Sequence, residues 1–149
     1  MCIRDSLYVP ESYAVSNACI LVCTALSGGT LQELLSEAKL RYGAQNLALD
    51  CQRLAMDFTL PNRQGEGTPL SQKELAALRG RYGSPSFFSK ELGANYFTYY
   101  ENSHAHFVLF DTVQTLHYKL QIGQENGIKT SFFMYPEISD ILNELFFQS

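Results

Sequence analysis

Apolar and polar positions fall into blocks along this chain, and the clearest block runs over residues 106–137. Residues 108–110 are a short apolar run. Asp111 and Gln114 follow, a polar pair spaced to cap the first backbone N–H groups of a helix. Val113, Leu116, His117 and Leu120 then recur at i, i+3, i+4 and i+7. That period predicts one buried helical stripe, with His117 as a satisfied core histidine. Asn126-Gly127 is expected to stop the helix, because glycine takes the left-handed conformation without a side-chain clash. Residues 128–135 are β-rich and close on Pro136. Strand, helix, strand in this order implies parallel pairing with helices laid on the sheet.

The same rhythm occurs upstream. Residues 18–25 carry apolar side chains on both faces, as a fully buried strand does. Ser27-Gly28-Gly29 reads as a turn and Thr30 with Glu33 as a capping box. Leu31, Leu34, Leu35 and Ala38 give the helical stripe, and Gly43 ends it. Residues 46–58 begin another buried strand. Between about 59 and 110 the rhythm breaks, and an α+β insertion is predicted. Within it, residues 61–68 are loop, Ser71 and Glu74 cap a short helix, and Leu70 and Leu75 are placed to staple its start. Residues 95–101 and 105–110 flank Asn102-Ser103-His104 as a β-hairpin. Ile138, Ile141, Leu142 and Leu145 mark a last amphipathic helix. The order is β-α-β-(insert)-α-β-α. Three parallel strands make a thin open sheet and cannot close a barrel. Two of them are apolar on both faces, so further strands and helices are expected to cover them, and the chain reads as part of something larger.

Composition narrows the function classes. A chain of 149 residues with 46% hydrophobic and 17% charged residues suits one globular domain. A net charge of −4 without a Lys/Arg cluster argues against a nucleic-acid partner. No apolar run approaches the ~20 residues that span a bilayer. Residues 1–6 lack the apolar stretch of a signal peptide and resemble translated adapter sequence, so they are read as a non-native leader. Of the remaining cysteines, Cys19 and Cys23 would lie roughly 13 Å apart on one strand, too far to bridge. Cys19, Cys23 and Cys51 are therefore expected to be buried free thiols.

Candidate chemistry is sparse. Ser27 to Thr30 sits between strand and helix, yet it lacks a P-loop lysine and a dinucleotide spacing, so it reads as an ordinary turn. His104 and His106 could face one side of a strand, but no third ligand lies near, and no metal or cofactor is expected. Tyr96 and Tyr100 would share one face of the hairpin, and Phe97 and Tyr99 the other. Such rings either stack on sugars or fill a core.

With the element order in hand, residues 46–61 (NLALDCQRLAMDFTLP) are similar, without gaps, to the seventh-strand region of glycoside hydrolase family 18. The likeness is to its bacterial spore-envelope and peptidoglycan branch, where an apolar strand leads into aromatic-Gly-aromatic-Asp-Trp-Thr-Leu-Pro. Tyr99-Tyr100, His106, Val108, Phe110-Asp111 and Lys119 resemble that branch's hairpin and following helix, and residues 127–142 its eighth strand and final helix. The resemblance covers nearly everything after residue 18. It implies an α/β fold: the C-terminal portion, about three β/α units, of a TIM (β/α)8 barrel with an inserted α+β subdomain. Residues 7–149 would be a partial barrel domain whose partner is the upstream half of the same barrel.

The departures are equally specific. The family's proton-donating Glu ends an Asp-x-x-Asp-x-Asp-x-Glu run that this chain lacks. Where the sixth strand ends in Met-x-Tyr-Asp, this chain has Val22-Cys23-Thr24-Ala25. The sugar-flooring Trp is absent, with Phe133, Met134 or Tyr135 near its place, and the strand-seven aromatic before Gly is Leu54. The resemblance thus implies a fragment that acts on or binds N-acetylglucosamine-containing glycan, chitin or peptidoglycan, without its catalytic acid. The alternative is a non-catalytic glycan-binding module on the same barrel. An extracellular or cell-envelope location would follow from the resemblance. No catalytic residue is assigned. Asp57, with Phe58 in the place of the family's Trp, and Tyr135 and Glu137 are the expected substrate-binding positions, at the carboxyl ends of strands where barrel ligands sit. Asp57 and Glu137 read equally as a loop hydrogen bond or a helix cap, and Gln52 and Arg53 are weaker candidates one step earlier.

Overall fold

A computed structural model of the chain describes residues 7–10, 18–62 and 64–147. Residues 1–6, read above as a leader, lie outside the described residues. The parallel layer holds β1 (Leu7–Pro10), β2 (Ala18–Cys23), β3 (Leu47–Asp50) and the two-residue β9 (Ser131–Phe132), in the order β1-β2-β3-β9. All three pairings are parallel. Helix α1 (Leu31–Tyr42) crosses from β2 to β3 and buries Leu31, Leu35 and Ala38 against Ile20, Val22, Leu47 and Leu49. Its N-cap is Thr30, but the side chain makes no capping hydrogen bond, so the expected box with Glu33 does not form.

The antiparallel layer holds β4 (Ala55–Leu60), β5 (Thr68–Pro69), β6 (Phe87–Ser89), β7 (Ala94–Glu101) and β8 (His104–Phe110), in the order β5-β4-β8-β7-β6. Residues 46–58 begin, as expected, with a buried strand and then change layer. They give β3 to the parallel layer and most of β4 to the antiparallel one, with Gln52 to Leu54 as the joint. Residues 108–110 also change partner from the reading above: they lie in β8, antiparallel to β4 and β7, and the parallel neighbour of β9 is β3. The hairpin reading holds. Asn102 and Ser103 turn it with φ of 51° and 61°, the left-handed pair that matches the twist of the flanking strands. Helix α2 (Gln72–Tyr82) starts with the full Ser71–Glu74 capping box and covers one face of this sheet through Leu75, against Phe97, Tyr99, Val108 and Phe110.

Helix α3 (Val113–Glu125) links the two layers. Thr112 and Thr115 cap it reciprocally, one residue later than the Asp111–Gln114 pair expected. Its buried residues are Val113, Thr115, Leu116, Lys119 and Gly123. His117 is exposed instead, although a ring nitrogen meets the Leu145 carbonyl at 2.8 Å. The helix ends at Asn126, followed by Gly127 at φ 79°, as the Asn-Gly pair predicts. Gly123 sets the approach of α3 to β3, because a Cβ there would lie 2.6 Å from Leu49 Cδ1. The last two helices, α4 (Tyr135–Ile138) and α5 (Leu142–Phe146), pack Ile138 and Leu145 on Val113 and Leu116. Cys19 is disulfide-bonded rather than free, while Cys23 and Cys51 are free thiols. Among the described residues no helix is long and apolar enough to cross a membrane.

Candidate functional site

The carboxyl ends of β2, β3 and β9 open into a cleft of about 660 Å³. Ala25 follows β2, Gln52 and Arg53 follow β3, and Pro136, Glu137, Ser139 and Asp140 follow β9. The start of β4 and the Pro69–Gln72 turn into α2 close the far side. A cleft at this end of parallel strands is where α/β folds seat ligands, since the connecting loops converge there.

Two carboxylates grip the joint between the layers. The Arg53 backbone N–H donates to Glu137 Oε2 at 3.1 Å, and the next N–H, of Leu54, donates to Asp111 Oδ2 at 2.9 Å. Asp111 N–H returns a bond to the Leu54 carbonyl at 2.8 Å. Below the joint, Asp111 accepts from Thr115 Oγ1 at 2.6 Å and pairs with Lys119 Nζ at 2.8 Å. The Arg53 guanidinium lies along the cleft, where Nη1 donates to the Glu137 carbonyl at 3.0 Å and to Asp140 Oδ1 at 2.6 Å. Arg53 Nε is buried and has no hydrogen-bond partner among the described residues. Gln52 Nε2 donates to Asp50 Oδ2 at 3.0 Å beside it.

Of the residues expected at the site, Glu137 lines this cleft and Asp57, Phe58 and Tyr135 do not. Neighbours on a strand point to opposite faces, so Asp57 and Phe58 cannot share one groove. Phe58 is a core residue, 7% exposed, against Leu54, Ala94 and Leu109. It also borders a smaller cleft of about 190 Å³ with Leu60, Phe107 and Leu109. Tyr135 is exposed at the start of α4. Asp57 faces α2, accepts a short hydrogen bond from the Tyr99 hydroxyl, and meets His106 Nδ1 at 3.0 Å. Tyr99 stacks between Tyr82 (4.5 Å) and His106 (4.4 Å). Burial, then the bond to Asp57, pushes the Tyr99 hydroxyl well above its usual range, so it stays a neutral donor. Two smaller clefts flank Asp57, of about 380 and 350 Å³. His104 Nδ1 meets the Asn102 carbonyl at 2.8 Å, and no group of three His, Cys, Asp or Glu placed to hold a metal occurs among the described residues.

Arg53 with Asp140 is the part of the site that sequence reading undervalued. The available signal was an arginine between two apolar runs, residues 47–49 and 54–56, which can be buried there only beside acidic partners.

No family model matches the chain, and no curated protein matches its sequence. Solved structures do match its fold. The spore cortex-lytic enzyme SleL of Bacillus cereus aligns with a TM-score of 0.66 at 22% identity, over 85% of this chain and 34% of that one. SleL of Bacillus megaterium QM B1551 aligns at 0.63 and 17%, over 78% and 30%. The chitinase of Chromobacterium violaceum ATCC 12472 aligns at 0.63 and 18%, over 78% and 40%. The chain thus spans less than half the length of each of these structures. It is a mixed α/β chain, with parallel and antiparallel sheets, that resembles parts of chitinase-type folds.

Proposed function

We propose that this chain is the C-terminal portion of a glycoside hydrolase family 18-like barrel whose full protein acts on or binds N-acetylglucosamine-containing glycan, chitin or peptidoglycan. The observation carrying this reading is the cleft at the carboxyl ends of the parallel strands, in a fold like that of cortex-lytic enzymes and a chitinase. The upstream half of the barrel would complete the sheet beside β1 and β9. Glu137 contributes to the glycan surface from within the cleft, whereas Tyr135 and Asp57 lie outside it.

A second reading, a non-catalytic glycan-binding module, is favoured by the state of the cleft carboxylates. Glu137 accepts a backbone N–H and Asp140 pairs with Arg53, so both are engaged in holding the joint rather than free to protonate a leaving group. Under either reading this chain alone releases no chromophore from a chromogenic chitobioside. It is retained on chitin or on peptidoglycan sacculi and not on cellulose. Turnover by the isolated chain contradicts the missing catalytic half, and failure to be retained on either polymer contradicts the glycan reading.

A further inference from the structure

We infer that Arg53 is the specificity-determining donor of the cleft, and that it selects an uncharged acceptor oxygen, the amide carbonyl of an N-acylated sugar. The inference rests on the glycan reading above and adds which residue reads the sugar and what it rejects. Arg53 is 8% exposed at its side chain and lines the cleft. A guanidinium offers five N–H donors in a rigid fork. Nη1 is engaged twice, on the Glu137 carbonyl and on Asp140, while Nε–H has no partner among the described residues. A buried donor left unmatched is a standing penalty, and a ligand oxygen that reaches it removes that penalty on binding. Asp140 is 55% exposed, so the group steering the fork can give way as a ligand enters.

Charge decides which oxygen. Arg53 contributes one positive charge to the cleft, and Glu137 with Asp140 contribute two negative ones. Asp111 and Lys119 cancel beneath the joint. A carboxylate-bearing sugar would accept from Nε but meet this net negative wall. A free amino sugar would suit the wall but has lost the amide carbonyl, and its ammonium only donates, so it leaves Nε only the weaker hydroxyl acceptors. A neutral amide meets neither objection.

The test titrates the 149-residue chain with three tetrasaccharides of one backbone: N-acetylglucosamine, glucosamine, and the N-acetylated form oxidised at C6 to a uronic acid. The neutral oligomer is expected to bind about tenfold or more tighter than either charged one. Arg53→Lys keeps the charge and long stem but lacks Nε, and is expected to lower that affinity by about tenfold or more. In the wild-type protein the Arg53 Nε–H signal, followed by 1H–15N correlation, is expected to shift as the neutral oligomer is added. This readout holds even if Arg53→Lys folds poorly. If the neutral oligomer binds but neither the variant nor the Nε–H signal responds, the role of Arg53 is overturned and the glycan reading stands. Equal or tighter binding of the uronic form overturns the charge selection. If none of the three binds, the glycan reading itself fails, and this inference with it.

Discussion

Lys119 and Asp111, eight residues apart, form an ion pair of 2.8 Å in which both side chains are 0% exposed. The pair sits under the joint between the two layers, where Asp111 also holds the Leu54 N–H at the edge of the cleft. A buried pair is an uncertain source of net stability, but breaking one side strands the other charge. Lys119→Met is therefore expected to destabilise the chain by about 3–5 kcal/mol. Asp111→Asn with Lys119→Met should be less destabilised than the single variant. Urea denaturation midpoints check the order, and a double variant weaker than the single would contradict it.

Cys51 sets an alkaline limit. Burial pushes its thiol up from 9.0 to about 11, so the folded state holds a proton that the unfolded state releases. The resulting stability is complete below pH 9 and is lost as pH rises through about 11, amounting to roughly 2 kcal/mol over that window. The raised Tyr99 hydroxyl acts with the same sign above pH 10. Cys51→Ala should flatten the fall in denaturation midpoint between pH 9 and 11. At neutral pH a thiol reagent should modify the half-buried Cys23 well before Cys51.

The hairpin turn can be improved. Ser103 holds φ 61° with an ordinary side chain, a conformation that glycine adopts more readily. Ser103→Gly is expected to stabilise by about 0.5–1 kcal/mol, seen as a higher thermal midpoint with unchanged circular dichroism.

Tyr99→Phe separates the Asp57 cluster from the cleft. It removes the hydroxyl that donates to Asp57 and should cost about 1–3 kcal/mol of stability. Asp57 does not line the main cleft, so affinity for a glycan seated there should be unchanged. Parallel calorimetric and denaturation measurements on the variant check both halves.

The legible parts of this fold were those fixed by local chemistry. The hairpin turn, the Ser71–Glu74 box and Asn126-Gly127 each act within a few residues and each appears, although the turn is Asn102-Ser103 alone and His104 already belongs to β8. Helix α3 shows the opposite case. Hydrophobicity alone placed His117 on its buried stripe and could not show that Lys119 is buried, because the partner that neutralises Lys119 comes from the end of β8. Residues 46–58 begin with the expected buried strand, but where that strand ends was not legible; only the pairing of each half with a different sheet divides them at Arg53. The candidate site divides the same way. Glu137 lines the cleft because it follows a strand end, a local feature, whereas the burial of Phe58 depends on Gly67 and β8 lying over it, with a Cβ at Gly67 only 2.7 Å from the ring.

The central claim is that the cleft at the ends of β2, β3 and β9 is a glycan site. The most direct measurement is a 1H–15N titration of the chain with N-acetylchitotetraose. Saturable shifts at about millimolar affinity or better, confined to residues 52–56, 69–72 and 136–140 and absent with cellotetraose, are the predicted result. Shifts that are absent, or that fall around Asp57 or elsewhere while these residues stay still, would contradict it.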